Sequence, residues 1–171
     1  NIDKSIEYGF DIISYFNISD TWFMYAVTSF YNAQEEKNTV NGFIEADKWS
    51  NYSVLSNDFS FLEDRSLSVN LTFIYQSEVL QGFRDVGARL ESELSVSKTI
   101  LKEKAVISLS AADLFNLGDF ETTTEYLNQQ SYNHTDLDNR FVKLGVRYKF
   151  GNTILKTNER QKAVKERERI K

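Results

Sequence analysis

Apolar residues recur at every second position in several stretches of this chain, and that period predicts β-strands. From Ser66 to Gln76, Leu67, Val69, Leu71, Phe73 and Tyr75 share one face, while Ser68, Asn70 and Thr72 take the other. From Val86 to Ser97, Ala88, Leu90, Leu94 and Val96 oppose Arg89, Glu91, Glu93 and Ser95. From Lys104 to Phe115, Ala105, Ile107, Leu109 and Ala111 oppose Ser108 and Ser110. From Arg140 to Phe150, Val142, Leu144, Val146, Tyr148 and Phe150 oppose Lys143, Gly145, Arg147 and Lys149. Near the start, Ile6, Tyr8, Phe10, Ile12 and Phe16 oppose Glu7, Gly9 and Asp11. Two further segments read as strands with less regular faces. Thr21–Tyr31 is aromatic on both sides, and Trp49–Phe61 places Asn57 among Leu55, Phe59 and Phe61.

The connections between these strands alternate in expected length. Asn17–Asp20, Leu62–Arg65 and Lys98–Glu103 are short, whereas Asn32–Asp47, Ser77–Asp85 and Asn116–Asn139 are long. Short turns at one end and long loops at the other are how transmembrane barrels are wired. The same alternation of faces suits a soluble β-sandwich with one wet side. Charges in the middle of the polar faces and the segregation of loop length favour the barrel. Seven strands alone leave two open edges, which lipid does not tolerate, so further N-terminal strands are expected.

Composition agrees with strands and polar turns. The chain has 171 residues, 14% of them aromatic, with no Pro and no Cys. The absence of Cys excludes disulfides and thiolate metal sites. No apolar run is long enough for a membrane-crossing helix, but a spanning strand needs only roughly 9–11 residues. No signal peptide is visible after Asn1, so a leader removed or a longer chain is expected. The net charge of −5 is uneven. From Asn152 to Lys171, seven basic residues against three acidic ones make a charged tail, expected to be helical or disordered.

Candidate chemistry is sparse. No phosphate-binding Gly-rich loop, nucleophile elbow or paired-His motif occurs, and one His without Cys removes the common base and nucleophile pairs. No catalytic residue, metal site or cofactor is expected, and the chain is not expected to be an enzyme. The acidic body argues against nucleic acid as a partner. His134, near Asp136 and Asp138, reads as a solvated loop residue rather than a cation ligand. Asp113 and Asp119 read as turn formers. Tyr15, Phe16, Trp22, Phe23, Tyr75, Tyr148 and Phe150 lie near strand ends, where barrels carry aromatic girdles.

The stretch SLSAADLFN (Ser108–Asn116) resembles the penultimate strand of TonB-dependent receptors, and NRFVKLGVRYKFGN (Asn139–Asn152) resembles their last strand. The following TILKTNERQKAVKERERIK is similar to the tail of the TonB-dependent-receptor-like outer membrane β-barrel family of Bacteroidetes. The resemblance implies a barrel of about 22 strands, of which these are the last seven. It also implies an N-terminal plug and a TonB box outside this sequence. It carries no ligand motif onto these residues.

The expectation is therefore an all-β fold. Residues 1–151 form an antiparallel transmembrane barrel segment in the bacterial outer membrane, and residues 152–171 form a periplasmic tail. Leu67, Val69, Leu71, Phe73, Leu90, Leu94, Ile107, Leu109, Val142, Leu144, Val146, Tyr148 and Phe150 are expected to face lipid. Phe120, Tyr126 and Tyr132 are the candidates for ligand contact in the last long loop. Expected partners are the bilayer, the remaining strands and plug of the same protein, and TonB acting through the plug region. The leading functional expectation is uptake of a bulky nutrient. A non-transporting structural barrel and a soluble β-sandwich binding module stand as alternatives.

Overall fold

The computed structural model describes residues 2–40, 42–126 and 129–150. The charged tail expected at 152–171 lies outside the described residues. Among those described, the chain forms strands β1 (Lys4–Ser19), β2 (Trp22–Thr39), β3 (Gly42–Phe61), β4 (Leu67–Gln76), β5 (Val79–Leu80), β6 (Arg84–Val86), β7 (Arg89–Ile100), β8 (Ala105–Ala112), β9 (Phe120–Tyr126), β10 (Gln129–Thr135) and β11 (Phe141–Tyr148), with no helix. Seven of them make one sheet in the order β1-β2-β3-β4-β7-β8-β11, and four make a second in the order β10-β9-β6-β5. Every pairing is antiparallel. The large sheet is all-β, as the alternation predicts, and it is open, with β1 and β11 each paired on one side only.

Register explains how one apolar face runs across all seven strands. Residues opposite one another in an antiparallel pair point to the same side of the sheet. Leu71 sits between Asn57 and Leu94, Leu94 faces Ala111, and Ala111 faces Val142. The same chain of pairs links Phe10, Phe30 and Asn51 at the other edge. The second face carries Asn70 and Thr72, bonded to Ser56 and Asp58, beside the Ser68–Ser97 and Ser110–Ser95 hydroxyl pairs. Each strand thus separates an apolar side from a hydroxyl- and amide-rich one. Thr21–Tyr31, whose faces the sequence leaves unassigned, is resolved by pairing. Trp22, Met24, Ala26, Thr28 and Phe30 join the first face, and Phe23, Tyr25, Val27 and Tyr31 join the second.

Three expected loops are instead built from strands. The Asn32–Asp47 connection is a ladder: β2 and β3 stay paired from Asn32↔Trp49 out to Thr39↔Gly42. Backbone hydrogen bonds hold such an extension without needing an apolar face, so alternation does not reveal it. The Ser77–Asp85 connection contains the β5–β6 hairpin, and Asn116–Asn139 contains the β9–β10 hairpin. β6 pairs with β9, so the two excursions join into the small sheet. The strand expected from Val86 is broken at Gly87, and the strand expected to reach Phe115 ends at Ala112.

That last ending has a local cause. Asp113 is buried and adopts a positive φ of 48°. Its backbone N–H donates to the Ser92 carbonyl at 2.7 Å, and the Leu114 N–H donates to Ser92 Oγ at 2.9 Å. Its own carboxylate accepts the Leu117 N–H at 3.1 Å. The turn it forms sends Phe115 onto the apolar face, where its ring lies 6.4 Å from that of Phe73.

Candidate functional site

The apolar face is fully formed but uncovered. On β11, Val142, Leu144 and Val146 are 72%, 71% and 73% exposed. Phe10, Ile12, Leu55, Ile107 and Leu109 are exposed on neighbouring strands. Contiguous exposed apolar surface of this kind marks contact with a partner or a membrane. All thirteen residues expected to contact lipid except Phe150 lie within strands of this sheet, and register puts those twelve on this one face. Phe150 follows β11 and packs edge-on against Tyr148, ring centres 4.7 Å apart.

Aromatic rings mark two levels on that face. At the short-turn end, Trp22, Phe59 and Phe61 stack in series, at 5.4 Å and 6.3 Å between centres. At the other end, Tyr8 meets Trp49 at 5.7 Å and Phe10 meets Phe30 at 5.6 Å. From Trp49 to Phe59 a strand rises roughly 33 Å. Tilted by the 35–45° usual in barrels, that spans roughly 23–27 Å, close to the apolar band of about 25 Å such barrels present. Tyr15 and Phe23 do not join this girdle. They lie on the second face and stack there at 6.4 Å, with Tyr25 5.1 Å from Tyr15.

Polar groups on the apolar face are tied inward. Asn57, buried, accepts the Trp22 indole N–H at 3.2 Å. Asn51, Thr28 and Ser53 bond to one another, and Asn51 also reaches the Ser29 carbonyl. Asn32, 1% exposed, sits in register between Tyr8 and Trp49. Its Oδ1 has no hydrogen-bond partner among the described residues.

The small sheet lies across the second face at the long-loop end. Glu35 on β2 is buried, and its carboxylate accepts the Gly82 N–H at 2.9 Å and the Phe83 N–H at 2.6 Å. These two residues form the tip of the β5–β6 hairpin, with φ of 63° and 61°. Positive φ at both central positions is the two-residue turn that suits a hairpin's twist, and Phe pays a steric cost that Gly does not. Lys48 on β3 grips the base of the same hairpin, 2.5 Å from Asp85 and 3.0 Å from Glu78. Ser50 Oγ donates to the Glu78 carbonyl.

Beneath this roof is a cleft of about 540 Å³. Glu7, Tyr31, Gln76 and Arg89 form its wall on the large sheet, and Arg84, Phe120 and Asn133 project from the small one. The Arg89 guanidinium lies over the Phe120 ring at 5.6 Å. Gly9, in register with Tyr31, leaves no room for a side chain: a Cβ there would stand 2.7 Å from Tyr31 Cα.

The structure does not bring the three candidate contact residues together. Phe120 lines the cleft. Tyr132 is on the other side of the small sheet, opposite Thr123, and is exposed. Its hydroxyl bonds the Glu121 carboxylate, which holds its pKa above the usual tyrosine range. Tyr126 is the last residue of β9. His134 faces Glu121 at 3.9 Å, and no group of three metal-ligating side chains occurs among the described residues. Glu35, Lys48, Arg84 and Arg89 escaped the sequence reading as site residues. The Gly82 turn between Val79-Leu80 and Asp85-Val86, and the Thr122–Thr124 run, were the available signals for their strands.

Residues 1–148 match the model of a family described as the outer membrane protein beta-barrel family. No curated protein and no solved structure matches the chain.

Proposed function

Because the chain belongs to the outer membrane protein beta-barrel family and resides in the bacterial outer membrane, we propose that it forms part of a TonB-dependent-type receptor that takes up a bulky nutrient. In this reading the large sheet is barrel wall, its first face meets lipid and its second lines the lumen. Further strands pair with the open edges of β1 and β11, since lipid leaves no water to satisfy them. A plug fills the lumen and moves when TonB pulls on it. The chain contributes no catalytic group and no cofactor. Nutrients of this kind include glycans, peptides and metal chelates.

The observation that supports uptake is the roofed cleft on the lumen side. Its aromatic rings, amides and guanidinium groups stand where a ligand entering from outside meets the barrel. A barrel serving only as a structural platform has no need of a polar cavity clamped beneath its loops.

The test uses cells carrying the full-length protein, supplied in turn with labelled oligosaccharides, peptides and ferric chelates. Uptake of one class should exceed that of a deletion strain, collapse when an uncoupler dissipates the inner-membrane gradient, and fall with Phe120→Ala. Equal uptake by the deletion strain for every class would favour the non-transporting platform.

A further inference from the structure

The small sheet has a long open edge. Its order is β10-β9-β6-β5, so β10 pairs with β9 alone. The opposite edge, β5, is only two residues long, and Ser77 just before it donates its N–H to the Asn51 carbonyl of β3 at 2.9 Å. β10 runs from Gln129 to Thr135 with the sequence QQSYNHT, and all but Thr135 are exposed. No Pro, Lys or acidic residue interrupts it. Such residues commonly keep a free edge from pairing.

The pairing shows which backbone groups reach that edge. The Gly87 N–H donates to the Glu121 carbonyl at 2.7 Å, so Glu121, Thr123 and Glu125 turn their backbone groups toward β6. Thr122, Thr124 and Tyr126 then bond Asn133, Ser131 and Gln129. Alternation leaves the N–H and C=O of Gln130, Tyr132 and His134 pointing outward, with no hydrogen-bond partner among the described residues. Asn133 and Thr135 line the roofed cleft, so one face of β10 looks into it. A strand laid beside β10 sends every second side chain to that same face. The lining there includes Val86, Phe120, Glu7 and Arg84, and the last two form no ion pair among the described residues.

Resting on the reading of that cleft as a ligand site, we propose that the ligand is an extended oligopeptide, captured as an added strand along β10. Gln130, Tyr132 and His134 hold its main chain through their backbone groups, and the cleft takes alternate side chains. Outward N–H and C=O groups at strand spacing match a peptide main chain. A glycan or a metal chelate has no such row to offer them. Covering the edge from Gln130 to His134 takes about five residues.

The test uses the full-length protein, purified in detergent, with a casein digest of short peptides as the probe. Mass spectrometry identifies the peptides retained. A retained peptide is resynthesised with N-methyl groups on alternate residues. It should lose binding in one frame and keep it in the other, because a strand on an edge bonds through every second N–H. Tyr132→Pro removes an outward N–H but no β9–β10 bond, and should weaken binding about tenfold, the worth of one hydrogen bond lost at a buried contact. Tyr132→Val keeps the N–H and should bind as the parent does. Hydrogen exchange across 129–135 should be slowed by the peptide, and this decides the matter if the proline variant misfolds. Three results would overturn the assignment: retention of no peptide, equal loss in both methylation frames, or exchange that peptide does not slow because the edge is already paired within the barrel or with a second copy. Import of a glycan or chelate by cells, with no peptide retained, would overturn it and leave uptake intact. Peptide retention with no import would leave it standing and remove uptake instead.

Discussion

The Glu35 carboxylate on β2 receives the Phe83 N–H at 2.6 Å, joining the protruding β2–β3 ladder to the strained tip of the β5–β6 hairpin. This contact links residues far apart in sequence and fixes the roof over the cleft. The negative charge faces two backbone N–H groups at a left-handed turn, an arrangement that suits an anion.

Removing that carboxylate should loosen the roof without unfolding the wall. Charge-assisted hydrogen bonds contribute about 1.5–3 kcal/mol. Gly82 is exposed, so roughly 2 kcal/mol for the pair is the expected loss on Glu35→Ala. At 1.4 kcal/mol per tenfold, that raises the open fraction about thirtyfold. Hydrogen exchange at β5, β6 and β9 should quicken by that factor, while β4 and β7 exchange unchanged. Equal exchange in β5 and β6 of both proteins would show that the clamp is not needed.

Asp113 supplies a separate prediction. Its left-handed φ suits Asp or Asn, and its carboxylate accepts the Leu117 N–H. Asp113→Asn should keep the turn. Asp113→Ala should lower stability by about 1–2 kcal/mol, as the Leu117 N–H loses its partner and alanine takes up the left-handed φ at a steric cost. Urea unfolding in lipid vesicles measures both, and indistinguishable midpoints would remove the carboxylate from the account of the turn.

The β7–β8 turn holds Leu101, Lys102 and Glu103 at φ of 54°, 52° and 67°. Left-handed backbone costs an L-residue about 1–2 kcal/mol. Glu103→Gly should therefore stabilise the barrel by about 1 kcal/mol. Gly9→Ala should do the reverse, because its Cβ meets the Phe30 carbonyl oxygen and Tyr31 Cα in the paired strand. Overpacking of this kind costs about 1–3 kcal/mol. The two midpoints should move in opposite directions, and a common direction would contradict both arguments.

Much of the large sheet was legible because its two faces carry opposite chemistries on alternate residues, one apolar and one rich in hydroxyls and amides. Ser66–Gln76 shows this in the sequence as plainly as in the register, with Ile74 as its one apolar exception on the polar side. β2 was legible as a strand but its faces were not, because Phe23 and Tyr25 place rings on the second face as well, beside Tyr15 of β1. The β2–β3 extension and the small sheet were invisible for a different reason. Outside the apolar band, a ladder needs only its backbone bonds, so segments such as Gln34–Thr39 and Gln129–Thr135 need no alternation. The cleft depends on those segments crossing the sheet. Of its residues, only Phe120 could be singled out beforehand.

Leu71 and Asn70 are neighbours on β4 that point to opposite sides, and they test the lipid-facing wall most directly. A charge at the lipid midplane costs about 2–4 kcal/mol. On the lumen side, an Arg at position 70 has Asp58 within reach of the present side chain. The decisive measurement is the amount of heat-modifiable protein in outer membranes for Leu71→Arg and Asn70→Arg, expressed at equal level. Leu71→Arg should fail to assemble and Asn70→Arg should assemble as the parent does. Equal assembly of the two, or failure of Asn70→Arg alone, would mean that the apolar face does not meet hydrocarbon.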